Sequence, residues 1–332
     1  MAWDGVRSAR ADHEASLFGL ANVVGVAVGR KIVRGRETDE PCIVVYVARK
    51  LPASALRRGD VVPRDVDGVR TDVVETGRFE ALLLLQRPTT SRTARVRPAP
   101  GGVSVGHVRV SAGTLGVIAR RAGSGPVILS NNHVLANTND ARPGDLIVQP
   151  APADGGTERD GIARLVDFVP IAFAEGNPTA FGRWVERTLK PLLVHFGLGL
   201  TRLPSGRTNL VDAAIAEPLE PDLVSPEILD IGQVSGTAVA DLGIPVRKSG
   251  RTSGLTAGTI TGLDAVVQVD YNGRVAVFRH QLVSNMLSKG GDSGSLVVDD
   301  RERAVGLLFA GSAVNTLINP IAEVQRLLRL EF

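Results

Sequence analysis

From residue 103 to the C-terminus, short apolar runs recur, each closed off by Gly, Pro, Asn or Asp. They occupy 105–110, 114–119, 127–130, 145–149, 213–216, 265–269, 275–278, 296–298 and 304–309. Runs this short are of strand length, and the turn residues between most of them leave no space for the crossover helices that parallel strands require. The pattern therefore predicts antiparallel sheets curled into β-barrels rather than βαβ units. A glycine content of 37 in 332 residues agrees, because helix interiors disfavour glycine. One amphipathic helix is expected at 321–330, with Ile321, Val324, Leu327 and Leu328 on one side.

The front of the chain has a different texture. Residues 1–85 read as a small α/β domain: a helix over 7–18, β-branched strands at 22–28 and 42–47, and a hairpin turn at Asp67-Gly68. Residues 86–102 are polar, aperiodic and rich in Arg and Pro, which predicts a solvated linker. Within the β-rich part, 165–206 breaks the strand pattern. Phe168, Phe173, Phe181, Trp184 and Phe196 cluster there, and Asn177-Pro178 reads as the start of a helix, so a helical insertion is expected.

Composition excludes several classes. The 38 basic and 35 acidic residues nearly balance, and no basic stripe with interleaved aromatics is visible, so no nucleic-acid partner is expected. Cys42 is the single cysteine, which rules out an intrachain disulfide and favours a reducing, cytoplasmic setting. No basic-then-apolar leader opens the sequence, and no apolar stretch approaches the length of a membrane span. No His or Cys pair has metal-ligand spacing, and Gly123-Ser124-Gly125 lacks the lysine of a phosphate loop, so neither metal nor other cofactor is expected.

Chemistry concentrates at Gly290-Gly291-Asp292-Ser293-Gly294-Ser295. A serine between glycines in a tight turn can expose its hydroxyl while neighbouring N–H groups, here those of Gly291 and Ser293, converge on a developing oxyanion. Such a hydroxyl needs a base to take its proton. His133 ends an apolar strand in Ser130-Asn131-Asn132-His133-Val134, and Asp212 is a carboxylate embedded in apolar surroundings, where a histidine N–H would offset its burial. Asp222, Asp230 and Asp241 are the alternative acids; His107, His195 and His280 read as structural or solvent-facing. Separations of 79 residues between His133 and Asp212, and 81 between Asp212 and Ser293, each span most of a barrel. The order His, Asp, Ser is that of a chymotrypsin-like double barrel; an α/β-hydrolase needs a histidine after its nucleophile, and none follows Ser293.

On these residues, 103–318 resembles the trypsin-like (chymotrypsin-fold) serine peptidases of bacterial type. Gly291-Asp292-Ser293-Gly294 matches the nucleophile motif, and Ser130-Asn131-Asn132-His133-Val134 the histidine motif. Residues 246–258 are similar to the second-barrel hairpin of streptogrisin and α-lytic peptidases, and 305–312 to the strand lining the specificity pocket. The resemblance implies a mainly β, chymotrypsin-like double β-barrel preceded by a small α/β domain, in a domain spanning 103–332. It implies a serine endopeptidase acting through His133, Asp212 and Ser293, with protein or peptide substrates. Leu287, Phe309 and Gly311 would shape the pocket; Leu287 carries no charge, which points to a neutral or apolar residue before the scissile bond. Secreted relatives carry a disulfide where Arg247 and Ala257 stand here, and no activation-type N-terminus is evident to pair with Asp292. Two alternatives remain: a catalytically silent binding or scaffold protein of the same fold, or an enzyme restrained by residues 1–85 or the insertion until a regulatory partner or activating protease releases it.

Overall fold

The structure is a computed structural model, and it describes residues 2–82, 91–110, 112–174 and 208–332. The chain divides into two units. The first comprises residues 1–79, 172–208 and 264–279; the second comprises 80–171, 209–263 and 280–332.

In the first unit, the helix Ala2–Phe18 begins about a turn earlier than its apolar spacing suggests and buries Val6, Ala9, Leu17 and Phe18. The strands Val23–Val33 and Arg36–Val47 form a hairpin that turns at Arg34-Gly35, where both residues have positive φ. Val69–Glu75 then lies parallel to the second of these strands, after a short hairpin whose turn is Asp67-Gly68, again with φ positive at both positions. That turn type requires left-handed backbone, which is why Asp-Gly marked it in the sequence. The apolar faces of helix and sheet enclose Val26, Val28, Ile43 and Val45 together with Val266 and Val277.

The second unit is mainly β and holds two curled antiparallel sheets. Among the described residues, six stretches close the first barrel: Ser104–His107, the continuous stretch Gly113–Thr114 and Val117–Arg121, Pro126–Ser130, Ala214–Pro218, Gly161–Phe168 and Leu146–Val148, which returns to the first. The second barrel runs Pro245–Gly250, Leu296–Val298, Ala304–Gly311 and Thr316–Pro320. It continues through 280–284 and 254–263, and the last pairs back to the first strand. This is the chymotrypsin-like double β-barrel expected from the sequence. Each barrel has its own apolar core, and a third cluster, including Leu129, Val211, Ile215, Leu296 and Leu307, joins them. The helix Ile321–Leu328 seals that cluster with Ile321, Val324 and Leu328. Arg247 and Ala257 face each other across the hairpin where the resemblance placed a disulfide in secreted proteins.

Three boundaries differ from the sequence reading. The stretch 86–102, expected as a solvated linker, contains the strand Ala99–Gly101 paired in parallel with Val224–Ile228. Two of its arginines are anchored rather than solvated: Arg92 donates to Gly102 O and Ser249 Oγ and pairs with Asp230, and Arg97 donates to the carbonyls of Gln149 and Asp160. Arg and Pro content marks loss of periodicity but not solvation, because a guanidinium can satisfy several carbonyls at once. The unit boundary falls at 79/80 rather than after 85, so residues 80–82 belong with the barrels. The expected insertion 165–206 starts too early, since 165–168 complete the strand Gly161–Phe168; its aromatic helix lies outside the described residues.

Candidate active site

The strand Pro126–Ser130 runs into the one-turn helix Asn132–Leu135, which carries His133. Register does the positioning. Ser130 pairs with Ala214, so the residue two before Ala214 in the chain, Asp212, comes level with the start of that helix. The His133 Nδ1 and Asp212 Oδ2 atoms are 2.6 Å apart, and the His133 backbone N–H donates to Asp212 Oδ1 at 3.2 Å. The side chains are 1% and 0% exposed. A carboxylate buried this deeply needs donors, and it receives them from the same histidine through both backbone and ring.

Two residues that the sequence reading did not single out fix this aspartate. Asn131 donates from Nδ2 to the Asp212 carbonyl at 2.6 Å, and the Asp212 N–H donates to Asn319 Oδ1 at 3.0 Å. Asn319 is itself held by Gln281. Asn131 lay inside the quoted histidine motif; Asn319 had no local signal, because its partner is 107 residues away.

Ser293 sits in a turn whose flanking glycines, Gly291 and Gly294, have φ of 93° and 91°. A Cβ on Gly294 would lie 2.0 Å from Ser130 Oγ, so glycine is required for backbone and for space. The turn is tied to the first barrel through Thr114. Its N–H donates to the Ser293 carbonyl at 2.7 Å, and its Oγ1 donates to the Gly291 carbonyl at 2.8 Å. Ser130 Oγ in turn donates to the Thr114 carbonyl at 2.8 Å. The serine turn is thus bonded to the strand that delivers His133.

Asp292, between Gly291 and Ser293, is wholly buried and coordinated on both oxygens. Oδ1 accepts the N–H groups of Thr252 and Ser253; Oδ2 accepts the Lys289 N–H, the Ser253 hydroxyl and the Lys248 ammonium, the last at 3.2 Å. Lys248 is 0% exposed, and burial holds its ammonium below the usual lysine value, opposed by the charge of Asp292. An internal lysine therefore supplies the cation for this carboxylate. A second buried pair, Arg251 with Asp154, braces the neighbouring loop, and the Arg251 N–H donates to Thr114 Oγ1.

The cleft beside Ser293 is bordered by the strand Ala304–Gly311. Ser293 Oγ donates to the Phe309 carbonyl at 3.3 Å. Residues 80 and 81 pair antiparallel with Gly311 and Ala310 on this strand, and the next carbonyl, that of Leu82, accepts the Gly291 N–H at 2.8 Å. The Ser293 hydroxyl lies 3.4 Å from the same oxygen.

The remaining expectations sort clearly. Leu287 does not sit at a closed pocket base: it is 52% exposed. The next residue turns inward instead, with Ser288 Oγ 2.7 Å from Thr316 Oγ1 in the buried space behind Gly311. Among the alternative acids, Asp230 pairs with Arg92, while Asp222 and Asp241 are exposed. His107 is buried, accepts the Arg109 N–H on Nδ1 and faces Asp145 through Nε2, as befits a structural histidine. His195 lies outside the described residues. Among the described residues no cluster of His, Cys, Asp and Glu could hold a metal ion, and no helix is long and apolar enough to cross a membrane.

Comparison with known proteins adds two kinds of likeness. Residues 7–74, within the α/β unit, match the family described as the NARROW LEAF 1 N-terminal domain. Protein NARROW LEAF 1 of rice (Oryza sativa subsp. japonica) is 24% identical over 330 residues, covering 87% of this chain; the chain spans 51% of that relative's length. Among solved structures, Cellulomonas bogoriensis chymotrypsin is 15% identical over 70% of this chain and 97% of its own, with a TM-score of 0.43. Thermobifida fusca protease A is 16% identical over 70% of this chain and 96% of its own, with a TM-score of 0.45.

Proposed function

We propose that the protein is a serine endopeptidase in which Ser293 is the nucleophile, His133 the general base and Asp212 the group that orients the imidazole. The observation that carries this reading is the buried His133–Asp212 pair. Its 2.6 Å contact holds the Nδ1 proton and leaves Nε2 as the basic atom. Ser293, tied through Thr114 to the strand that carries His133, attacks the scissile carbonyl as His133 takes its proton. The N–H groups of Gly291 and Ser293 receive the oxyanion, each donor contributing about 3 kcal/mol. His133 then protonates the leaving amine, and water resolves the acyl-enzyme by the reverse sequence. The Lys248–Asp292 pair keeps the turn in the shape that presents those N–H groups.

A catalytically silent binding protein is the second reading, favoured by one observation: the Gly291 N–H is already engaged by the Leu82 carbonyl. Fluorophosphonate labelling separates the two. The probe is expected to modify Ser293 in a chain carrying Leu82→Asp, which vacates the turn, and not in the same chain with Ser293→Ala. Equal labelling of both rejects the hydrolase.

A further inference from the structure

Residues 80–82 approach Ser293 as a substrate would. Their strand runs antiparallel to Ala304–Gly311, with Glu80 opposite Gly311 and Ala81 opposite Ala310, which brings Leu82 level with Phe309. Backbone pairing of this kind fixes an extended peptide without regard to its side chains, and a side-chain subsite then supplies selectivity. Here the last described carbonyl of the segment, that of Leu82, is the one that accepts the Gly291 N–H at 2.8 Å and lies 3.4 Å from Ser293 Oγ. All of these residues belong to the second unit.

The side chain of Leu82 occupies an apolar subsite. It packs against the second-barrel core that includes Val305 and Leu308. The missing side chain of Gly311 leaves the space it uses, since a Cβ there would stand 3.5 Å from Leu82 Cδ1. The polar groups behind it are already satisfied: Ser288 Oγ bonds to Thr316 Oγ1, and Thr316 Oγ1 donates to the Met286 carbonyl at 2.6 Å. The described neighbours on this side, Gly311, Ser288 and Thr316, carry no charge, so an unbranched-β aliphatic side chain is the chemistry the subsite accepts.

We infer that the first substrate of this site is the chain itself: Ser293 cleaves the peptide bond that follows Leu82, and the enzyme prefers leucine-like residues at that position. This inference rests on the hydrolase reading. In the step, Ser293 Oγ forms a bond to the Leu82 carbonyl carbon and its proton passes to His133. The C–N bond breaks, and the amine of residue 83 leaves with that proton as a new N-terminus. Water then attacks the Leu82 ester, giving its proton to His133, and Ser293 departs as the alcohol with that proton. The products are a fragment ending in the Leu82 carboxylate and one beginning at residue 83. The first fragment keeps its pairing with Ala304–Gly311, so cleavage yields a two-chain protein with a product segment in its cleft.

The test is intact-mass analysis of the full-length chain over time, for wild type, Ser293→Ala and Leu82→Asp, each also treated with a fluorophosphonate. Wild type is expected to give fragments 1–82 and 83–332, at a rate per chain that does not change on dilution. Ser293→Ala remains whole. Leu82→Asp cleaves more slowly by about tenfold or more, because a carboxylate is costly in the apolar subsite, yet its Ser293 takes the probe faster than wild type. A wild-type chain that stays intact while Leu82→Asp is labelled at Ser293 overturns self-cleavage and leaves the hydrolase standing. Cleavage at another bond, or a rate that grows with concentration, also overturns it. Failure of the probe to label Leu82→Asp at all removes the hydrolase reading itself.

Discussion

Asp212→Asn is the sharpest test of how the site works. The substitution conserves volume in a place where Asp212 is 0% exposed, and the amide oxygen can still accept the His133 N–H. What changes lies on Nδ1. The carboxylate oxygen 2.6 Å away accepts the ring proton, whereas an amide NH2 there donates, so the ring must move its proton to Nε2 and lose its basic atom. The imidazolium formed during reaction also loses its counter-charge. With charge centres about 4 Å apart and an effective dielectric of about 20, that attraction is about 4 kcal/mol, or about three decades in rate. Adding the wrong tautomer brings the expected fall in kcat to between about 10³ and 10⁴. The assay is hydrolysis of a leucyl chromogenic peptide, with both the parent and the variant carrying Leu82→Asp so that the cleft is open, and urea unfolding run alongside shows that the fold is retained. A variant whose kcat stays within about tenfold of the parent, on an unchanged fold, refutes the assignment of Asp212.

Three further outcomes follow from the surrounding structure. Because burial lowers the Lys248 pKa from the usual 10.5, raising the pH discharges this lysine before an exposed one and leaves Asp292 without its cation. In the window between the lowered value and 10.5 the folded chain binds fewer protons than the unfolded chain, so this group's contribution to stability rises with pH. Activity should therefore fall on the alkaline side without a matching loss of stability from this group. Lys248→Arg, which keeps its charge, should shift the alkaline limb of the kcat profile upward. Arg251→Ala leaves Asp154 buried and unpaired, and urea unfolding should show a loss of about 3–5 kcal/mol. Burial, with Asp72 nearby, pushes the Cys42 thiol up to about 12, so iodoacetamide at neutral pH should modify it only after denaturation; rapid alkylation of the native chain would contradict its burial.

Leu82 occupies the turn that carries Ser293. A carbonyl already bonded to Gly291 N–H looks like a blocked site if the segment is only a plug, and like a bound substrate if the adjacent hydroxyl is nucleophilic. The same three atoms serve both accounts, which is why a variant at Leu82 discriminates better than further substitutions at His133 or Ser293.

Local chemistry was legible in the sequence. Short apolar runs closed off by turn residues announced strands such as Leu296–Val298 and Ala304–Gly311, and Asp67-Gly68 announced its hairpin, because these features depend on near neighbours in the chain. The glycines around Ser293 and the apolar setting of Asp212 were readable for the same reason. The polar strand segments were not: Gly161–Phe168 carries Arg164 and Asp167 and is a strand because Ala214–Pro218 pairs with it. Register, too, exists only between strands. Ser130 opposite Ala214 brings Asp212 to His133, and Glu80 opposite Gly311 places the Leu82 carbonyl at Gly291. Lys248 shows the same division, since 44 residues separate it from Asp292 and nothing in its own neighbourhood says that it will be buried against a carboxylate. Short-range conformational preference fixes which groups exist and what each can do; closure of the two barrels decides which of them meet.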